Sequence, residues 1–329
     1  MPVITVAIPA YKPRHLSQAI ASVLAQTFGD FELIISDDCP DGAVKAVLAQ
    51  FSDPRIRVIE GPRQGLVPNS VRLWDAAACD LLKFVYDDDF LSPFALAELA
   101  GMLQADPEAT FAFCARDFVD DEGRVLGSPR PFEGQSPRRF SALAVAESLV
   151  PNILNPIGEP TGLLIRRSKF PDSTALSRFC DVPIRHMIDV TFFLNACRYG
   201  PCVATNVAHA AFRRHADQVT SQRNAPAFAI GFIEWELFIR GAVQLGLLPP
   251  ASAARAFPRL RKCYDDLAAD FPEVTPFREG LAALEAALLA GKTEVLTDAF
   301  RETHAAAGAT IDARRDQAAG MSGSSPPAT

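Results

Sequence analysis

The chain of 329 residues carries 32 basic and 39 acidic side chains, a formal net charge of −7, and 49% hydrophobic residues. These values are ordinary for a globular enzyme built from one large domain or two smaller ones. The basic residues form no long run, which argues against a nucleic-acid partner. Seven cysteines without a CxxC pair argue against a disulfide framework or a zinc site, and they favour a reducing compartment.

Hydropathy gives no sign of a secreted or membrane-spanning chain. The first residues lack the basic and apolar stretches of a signal peptide, and no window of about 18 residues is free of charge. The most apolar candidate, residues 228–248, is interrupted by Glu234, Glu236 and Arg240. We therefore expect a cytoplasmic protein, and peripheral contact with the inner face of the cytoplasmic membrane stays open.

The first 115 residues alternate short apolar runs with segments of helical spacing. The predicted strands are Val3–Ile8, Phe31–Ser36, Arg55–Ile59, Leu81–Val85 and Thr110–Cys114. The predicted helices are His15–Gln26, Gly42–Gln50, Asn69–Ala78 and Pro93–Gln104. This βαβα order predicts an α/β fold with a mostly parallel, Rossmann-like sheet flanked by helices.

The rest of the chain is less regular and then becomes helical. A hairpin turn is predicted at Asp120–Gly123, within an irregular stretch. The elements predicted after it are a helix over 141–150, a proline-rich loop over 151–160, a strand over Gly162–Arg166, a helix over Met187–Tyr199, and strands over Cys202–Thr205 and Ala208–Arg213. From Pro226 the chain is rich in Ala and Leu, which predicts a helical C-terminal extension.

These patterns divide the chain into three regions. We expect an α/β domain over residues 1–220, with halves 1–115 and 116–220, a helical region over 225–315, and a disordered tail over 316–329.

The most informative motif is Asp87-Asp88-Asp89, which directly follows the apolar run 81–86. Three adjacent carboxylates at the end of a buried strand repel one another, and a divalent cation or a cationic ligand relieves that repulsion. The alternative is a solvated acidic turn that caps the helix beginning near Pro93.

Two more predicted strands end in polar residues, at Pro9-Ala10-Tyr11-Lys12 and at Asp37-Asp38. In parallel α/β sheets, ligands bind beyond the carboxyl ends of the strands. The three strand ends together therefore predict a ligand site at one edge of the sheet. The alternative for Asp37-Asp38 is a turn and helix-capping cluster.

These segments resemble the family 2 glycosyltransferases of the GT-A fold. The resemblance rests on Ile4–Lys12, on Ser22–Phe28 with Phe31–Asp38, and on Gly65, Leu66, Asn69 and Lys83–Asp89. It is specific over residues 3–105, is weaker to about residue 220, and does not include the helical C-terminus. It implies a catalytic domain over 1–220, with a nucleotide-sugar half to residue 115 and an acceptor half after it.

The resemblance implies an inverting, metal-dependent, non-processive glycosyltransferase, a hexosyl- or related sugar transferase of the EC 2.4 class. Its donor would be a UDP-, dTDP- or GDP-linked sugar. Its acceptor would be a glycan or a lipid-linked saccharide, in bacterial surface polysaccharide biosynthesis. The QxxRW motif of processive members is absent, since Gln218 is followed by Val219-Thr220-Ser221.

The family's motifs imply roles for donor-site residues in this chain. The donor-binding set is Pro9, Ala10, Tyr11, Asp38, Asn69, Lys83 and Asp87. Tyr11 would stack near the nucleotide base, Asp38 would accept a hydrogen bond from the base, and Asp87 would face the ribose.

The acidic triplet would be this chain's version of the family's DXD motif. The family's common first Asp falls at Tyr86, but members of the spore-coat polysaccharide type also lack that Asp and keep two carboxylates at the positions of Asp87 and Asp88. On this match Asp88 would bind Mn²⁺ or Mg²⁺ with the donor's diphosphate, and Asp89 would be a second metal-site residue.

The resemblance places the catalytic base at Asp189, where partial burial against Phe192 and Phe193 would raise its pKa. The alternative is an acid that interacts with the dipole of its own helix. Weaker matches on the acceptor or diphosphate side are Glu159, Arg213, Arg214 and His215, followed by Gln218 and Ser221. A basic surface turn is the alternative for the residues after 212.

The C-terminal helices could form a homodimer, pack on the catalytic domain, or lie on a membrane. A basic cluster there would suit anionic lipid, and a solvated helix face is the alternative. The cluster comprises Arg255, Arg259, Arg261 and Lys262.

Two other functions stay open from the sequence. A sugar nucleotidyltransferase would need a Gly-rich phosphate loop after the first strand, which Pro9–Pro13 does not supply. A catalytically silent glycosyltransferase-like scaffold is the second alternative, and the joint presence of Asp38, Asp88 and Asp189 argues against it.

Overall fold

The structure is a computed structural model, which describes residues 2–215 and 226–322. Its internal contacts divide the chain into two compact units. The first unit comprises the residues up to Val145 together with Asn155–Arg178 and Ile188–His215. The second comprises Ala146–Leu154, Phe179–Met187 and the described residues from 226 onward. The predicted division near residue 220 therefore misses two short segments that precede it and belong to the second unit.

The strands, numbered in chain order, are β1 (Ile4–Ala10), β2 (Phe31–Asp37), β3 (Ile56–Glu60), β4 (Leu81–Phe84), β5 (Phe90–Leu91), β6 (Phe111–Val119), β7 (Val125–Gly127), β8 (Arg138–Phe140), β9 (Leu163–Arg166), β10 (Arg178–Phe179), β11 (Val182–Pro183) and β12 (Cys202–Arg213). The helices are α1 (Leu16–Leu24), α2 (Ala43–Leu48), α3 (Leu66–Ala76), α4 (Ala95–Ala105), α5 (Ala142–Leu149), α6 (Thr174–Ser177), α7 (Ile188–Ala196), α8 (Pro226–Gln244), α9 (Pro250–Ala253), α10 (Phe257–Leu267), α11 (Thr275–Leu289) and α12 (Asp298–Ser322).

Ten strands form one sheet in the order β3-β2-β1-β4-β9-β6-β12-β5, with β7 beside β6 and β8 beside β12. The long strands pair in parallel: β1 with β2 and β4, β2 with β3, and β6 with β12. Strand β9 lies antiparallel between β4 and β6 and joins the two parallel groups. The predicted α/β fold with a mostly parallel sheet is confirmed.

The centre of the sheet is apolar because its strands are covered on both faces. All 7 residues of β1 are buried. Helix α1 covers the sheet with Leu16, Ala19, Ile20 and Val23, which recur at the spacing of one helix face. A fully buried aliphatic side chain of this size contributes about 1.5–3 kcal/mol. This core holds the strands in register.

The register brings the ends of three strands to one edge of the sheet. Ala10 of β1 is paired with Asp37 of β2, and Ala7 of β1 is paired with Phe84 of β4. Because these strands run parallel, the segments that follow them leave the sheet at the same edge.

Two strands are longer than the sequence predicts. β6 continues past Cys114 to Val119. β12 is one strand where two are predicted, because register shifts after Thr205 and Ala208 absorb the extra residues. The predicted turn at Asp120–Gly123 is confirmed by a backbone hydrogen bond of 3.0 Å between its ends. The unpredicted strands β5, β7 and β8 are too short for an alternation pattern to reveal them.

The second unit is helical. The carboxylate of Glu234 in α8 is fully buried and accepts hydrogen bonds from the backbone N–H groups of Arg185 at 2.6 Å and Met187 at 2.7 Å. No described helix is long and apolar enough to cross a membrane. Helix α12 continues to Ser322, past residue 316, where the sequence predicts a disordered tail to begin.

The basic cluster of the second unit is paired within that unit. Its partners are Glu147 for Arg255, the Asn152 carbonyl for Arg259, Glu285 for Arg261 and Asp266 for Lys262. Three of these four charges lie beside a carboxylate, an arrangement typical of a solvated helix face, and contact with anionic lipid stays a prediction.

Candidate active site

The segments after β1 and β4 are tied together at the edge of the sheet. Asp87 accepts hydrogen bonds at Oδ2 from the backbone N–H groups of Tyr11 and the next residue, at 2.6 and 2.7 Å. Burial, and then the charge of Asp88, raise the pKa of Asp87 to about 6. Pro9 and Ala10 are buried, whereas Tyr11 is 52% exposed. Of these three residues at the end of β1 and just after it, only Tyr11 has an accessible side chain.

Asp38 holds the loop that follows β3. Its carboxylate is buried and accepts hydrogen bonds from the backbone N–H groups of Arg63 and Gly65, the second at 3.2 Å. Burial raises the pKa of Asp38, and these two hydrogen bonds oppose the rise. Gly61 packs so closely that a Cβ there would lie 2.6 Å from Asp38 Oδ1. Only a glycine therefore fits at position 61 beside this carboxylate.

Asn69 of α3 carries a buried acceptor next to the same loop. Its backbone N–H donates to the Gly65 carbonyl at 3.1 Å. The side chain is buried, and its Oδ1 has no hydrogen-bond partner among the described residues. Because buried amide oxygens rarely stay unpaired, we expect water or a bound ligand to donate to it.

The last two carboxylates of the acidic triplet have different surroundings. The side chain of Asp88 is 25% exposed, and its Oδ2 lies 3.2 Å from Nε2 of His215. Asp89 is buried and accepts hydrogen bonds from Thr161 Oγ1 at 2.6 Å and from the Arg213 N–H at 3.1 Å. Asp89 is only 1% exposed, so direct contact with a cation is better supported for Asp88, and a role of Asp89 at the metal site stays a prediction.

Asp88 and His215 provide two adjacent groups able to bind a divalent cation. Among the described residues, no group of three or more His, Cys, Asp or Glu side chains is arranged to hold a metal. A hard cation can bind through one or two protein ligands when phosphate oxygens and water complete its shell. The residues therefore fit a cation that binds together with a diphosphate.

Asp189 lies half-buried in the first turn of α7. Its Oδ2 accepts a hydrogen bond from Asn155 Nδ2 at 2.6 Å, and its Oδ1 accepts one from the Val190 N–H at 2.8 Å. Burial raises the pKa of Asp189, and these two hydrogen bonds oppose the rise. The direction is the one predicted, and a carboxylate with a raised pKa is a stronger base.

Arg116 of β6 is a site residue that the sequence pattern missed. Its Nε lies 2.9 Å from Oε2 of Glu159. Burial raises the pKa of Glu159, and the charge of Arg116 opposes that rise. The same charge acts on Asp189. The available signal was the position of Arg116 just beyond the predicted strand end at Cys114, since polar strand ends mark the ligand edge of such sheets.

Tyr86 connects the acidic triplet with the start of α7. Burial, and then the charges of nearby carboxylates, raise the pKa of its phenol well above the usual value. These carboxylates are Asp189, Asp89, Glu159 and Asp88. The Tyr86 ring also lines a small apolar cavity with Ile188 and Phe192, which lie on either side of Asp189 in sequence. One loop contacts both acidic segments, since Asn155 Nδ2 donates to Asp189 Oδ2 at 2.6 Å and Thr161 Oγ1 donates to Asp89 Oδ2 at 2.6 Å.

Lys83 does not reach this site. The residue is fully buried in β4, and its ammonium group donates hydrogen bonds to the carbonyls of Thr161 and Leu163, the second at 3.0 Å. Burial lowers the pKa of Lys83 to about 8. Its position corrects the prediction that Lys83 contacts a donor, and it shows a structural role for the ammonium group between neighbouring strands.

The basic residues at the end of β12 differ in exposure. Arg213 is fully buried, and its guanidinium donates hydrogen bonds to three backbone carbonyls, that of Asp88 at 2.9 Å among them. This position corrects the prediction that Arg213 binds a diphosphate. Arg214 is exposed and is the accessible cation of the pair. Gln218 and Ser221 lie outside the residues that the structure describes.

The fold is similar to that of solved structures with bound nucleotide sugars. TarS from S. aureus, residues 1–349 in complex with UDP-GlcNAc, aligns with a TM-score of 0.57 at 15% identity, over 88% of this chain and 92% of that chain. The mannosyltransferase PcManGT from Pyrobaculum calidifontis, in complex with GDP-Man and Mn²⁺, aligns with a TM-score of 0.53 at 16% identity, over 94% of this chain and 87% of that chain. The α/β fold of the chain is therefore the GT-A glycosyltransferase fold.

Sequence similarity assigns the family. Residues 5–172, more than half of the chain, match Glycosyl transferase family 2, and the chain belongs to that family of enzymes. The uncharacterized protein MT1568 of Mycobacterium tuberculosis is 29% identical over 202 residues, 59% of this chain and 61% of that protein. The GalNAc(5)-diNAcBac-PP-undecaprenol beta-1,3-glucosyltransferase of Campylobacter jejuni is 28% identical over 155 residues, 46% of this chain and 48% of that protein. The chain thus spans less than two thirds of the length of either relative.

Proposed function

We propose that the protein is an inverting, metal-dependent and non-processive glycosyltransferase. It would move a sugar from a nucleoside-diphosphate donor to a hydroxyl group of a glycan or a lipid-linked saccharide. The observation that carries the proposal is the loop over 155–161, whose Asn155 donates a hydrogen bond to Asp189 and whose Thr161 donates one to Asp89, next to Asp88. One site thus holds a carboxylate suited to a cation and a second carboxylate suited to proton abstraction.

Support for a nucleotide-sugar donor comes from the edge of β1. Exposed Tyr11 offers a ring on which a base can stack, and the carboxylate of Asp38 would accept a hydrogen bond from the base. The side-chain oxygen of Asn69, which has no partner among the described residues, would accept a hydrogen bond from the nucleotide sugar. Asp87 would face the ribose. TarS was solved with UDP-GlcNAc and PcManGT with GDP-Man, so UDP-, dTDP- and GDP-linked sugars are the donors to test.

Asp88, with His215 beside it, would hold Mn²⁺ or Mg²⁺ together with the donor's diphosphate. When bound, such a cation neutralises the charge that develops on the leaving nucleoside diphosphate. The exposed guanidinium of Arg214 would bind the same diphosphate. The Mn²⁺ in the PcManGT complex supports this choice of cation.

Asp189 would act as the general base. It accepts the proton of the acceptor hydroxyl while that oxygen forms its bond to the anomeric carbon and the bond from that carbon to the diphosphate breaks. A single displacement of this kind inverts the anomeric configuration. Burial raises the pKa of Asp189, which increases its basicity. Glu159, paired with Arg116, would contact the acceptor.

We extend the proposal to bacterial surface polysaccharides, made at the cytoplasmic face of the membrane. The name of the Campylobacter relative describes glucosyl transfer onto an undecaprenol-linked saccharide, and that relative matches nearly half of this chain. Transfer of one sugar per encounter follows from the absence of a QxxRW motif at Gln218.

The test is a panel of nucleotide sugars, each incubated with Mn²⁺ or with EDTA, with nucleoside diphosphate release as the readout. We expect slow release from one donor class, loss of that release in EDTA, and strong loss in Asp189→Asn with unchanged donor affinity. Near-normal turnover by Asp189→Asn would rule out the proposed base. Release of pyrophosphate from a nucleoside triphosphate and a sugar phosphate would instead identify a nucleotidyltransferase, and no turnover of any donor would favour a silent scaffold.

A further inference from the structure

The side-chain amide of Asn155 is locked in one orientation. Its Oδ1 accepts a hydrogen bond from the Gly158 N–H at 2.9 Å, and its Nδ2 donates one to the Gly158 carbonyl, also at 2.9 Å. Because the backbone N–H and carbonyl of a single residue bind the oxygen and the nitrogen of this amide, the amide cannot rotate without losing a hydrogen bond. The second N–H of Nδ2 is directed at Asp189, whose Oδ2 accepts it at 2.6 Å.

The loop that carries this amide is itself supported by Arg116. One guanidinium nitrogen of Arg116 donates to the carbonyl of Ile157 at 3.2 Å, and another lies 2.9 Å from Glu159 Oε2. Gly158 has a φ of 110°, in a region that favours glycine, and a Cβ there would overlap the Arg116 guanidinium. Loop 155–159 therefore packs against Arg116, which fixes the position of the Asn155 amide next to Asp189.

We infer that Asn155 is a positioning residue for the general base, holding the Asp189 carboxylate plane so that a free lone pair faces the acceptor hydroxyl. This inference rests on the proposed function, because it assumes that Asp189 is the base. Two hydrogen bonds, from Asn155 to Oδ2 and from the Val190 N–H to Oδ1, fix the plane of the carboxylate. A carboxylate has about four acceptor positions, so two stay available for a substrate.

The same hydrogen bond favours the ionised form of Asp189. An amide N–H can only donate, and donation to a carboxylate favours its charged form. Other groups face Asp189 as well: the charge of Arg116 also favours ionisation, and the charge of Glu159 opposes it, while the phenol of Tyr86 interacts with it. Loss of the Asn155 donor should therefore raise the pKa of Asp189 and move the acidic limb of the rate profile to higher pH.

The two informative variants are Asn155→Ala and Asn155→Asp. Asn155→Ala loses the contacts with Gly158 and with Asp189. Asn155→Asp keeps an oxygen to accept from the Gly158 N–H but brings a carboxylate against Asp189. If Asn155 only supported its loop, Asn155→Ala would leave the titration of Asp189 unchanged. If Asn155 positions and ionises the base, Asn155→Asp must be the more severe variant, because two adjacent carboxylates share a proton and repel.

We expect donor hydrolysis with Mn²⁺ to fall about tenfold or more in Asn155→Ala and further in Asn155→Asp, within the range that general-base catalysis contributes. The acidic limb should move to higher pH in both variants, while nucleoside diphosphate affinity stays within about twofold of wild type. Asn152→Ala, which removes an exposed amide that donates to backbone carbonyls at the end of the preceding helix α5, is the matched control.

A second readout needs no turnover. In protein labelled with ¹³C at aspartate carboxyls, and assigned with Asp189→Asn, the Asp189 signal should titrate at higher pH in Asn155→Ala than in wild type. An unchanged titration, or Asn155→Asp milder than Asn155→Ala in rate, would overturn the positioning role and leave the proposed function standing. Full activity of Asp189→Asn would instead remove the proposed function itself.

Discussion

The Nε of Arg213 donates a hydrogen bond of 2.9 Å to the backbone carbonyl of Asp88. The buried guanidinium thus holds the peptide of the proposed cation ligand. Its Nη1 donates to the carbonyls of Asp120 and Asp121 at 2.7 and 2.6 Å, and its Nη2 donates to Gln18 Oε1 at 2.5 Å. The next side chain, Arg214, is exposed. Two adjacent arginines therefore lie in different environments, one buried inside the fold and one exposed.

This difference predicts opposite effects for two matched substitutions. Arg213→Met leaves several buried carbonyls without a donor and should lower the free energy of unfolding by at least about 2 kcal/mol. Arg214→Met should change that free energy by less than about 0.5 kcal/mol. It should instead weaken nucleoside diphosphate binding about tenfold, the value of a hydrogen bond to a charged group. Urea unfolding and titration calorimetry measure the two effects, and a stable Arg213→Met protein with weakened ligand binding would reverse the assignment.

Asp88→Asn tests the cation site. The carboxylate of Asp88 is accessible, whereas that of Asp89 is buried. The substitution should therefore remove the part of the donor affinity that depends on Mn²⁺ and leave unchanged the affinity measured in EDTA. Calorimetry with UDP or GDP, with and without Mn²⁺, gives both values. Asp75→Asn, at an exposed position on α3, is the control. Equal Mn²⁺-dependent affinity in Asp88→Asn and wild type would dismiss Asp88 as the ligand.

Gly61→Ala should damage the donor site without touching its polar residues. A Cβ at position 61 would lie 2.6 Å from Asp38 Oδ1 and 2.9 Å from the Asp37 carbonyl oxygen, so the Asp38 carboxylate must move. We expect nucleotide affinity to fall about tenfold or more, because Asp38 would lose its proposed contact with the base.

The control for this change is Gly101→Ala on α4, where an added Cβ meets no atom within 4 Å. That variant should bind nucleotide normally and gain up to about 1 kcal/mol of stability, since alanine favours a helix. Normal nucleotide affinity in Gly61→Ala would show that Asp38 does not contact the nucleotide.

His304 makes stability depend on pH in the second unit. The imidazole is fully buried with no hydrogen-bond partner for either nitrogen among the described residues. Burial, and then the charge of Arg185, lower its pKa from 6.5 to about 4. The unfolded chain therefore binds a proton more readily, so the stability associated with the neutral ring is present above pH 6.5 and is lost as the pH falls toward 4.

The expected loss between pH 7 and pH 4 is about 3 kcal/mol from this group. His304→Leu has no such titration. From pH 7 to pH 4, its free energy of unfolding should therefore decrease by about 3 kcal/mol less than that of the wild-type protein. Urea unfolding at a series of pH values compares the two proteins. Parallel curves for wild type and variant would show that His304 titrates normally.

For the acidic triplet, the sequence predicts the strand and the site but not the different environments of Asp88 and Asp89. The apolar run before it predicts a strand, and the strand end predicts a site, because both signals are local. The pattern does not separate Asp88 from Asp89. They differ because Asp89 is bonded to Thr161, more than 70 positions away in the sequence, and such a contact leaves no local signature.

Lys83 shows the same limit. A lysine at the end of an apolar run is ambiguous, since it can project into a site or bury its charge against carbonyls. One observed acceptor is the carbonyl of Leu163 in β9, which pairs antiparallel between β4 and β6, and the other is the carbonyl of Thr161, just before that strand. That strand order follows from the whole sheet and not from the residues around Lys83.

The sequence by itself determined the strands that carry the site, their parallel order, the polar residues at their ends and the family, because periodicity and motif spacing are properties of neighbouring residues. Only the tertiary structure decided which charges face a ligand. It buried Arg213 and exposed Arg214, and it placed the amide of Asn155 against Asp189. The physical reason is that burial and hydrogen-bond partners depend on segments that are far apart in the chain and meet only in the folded sheet.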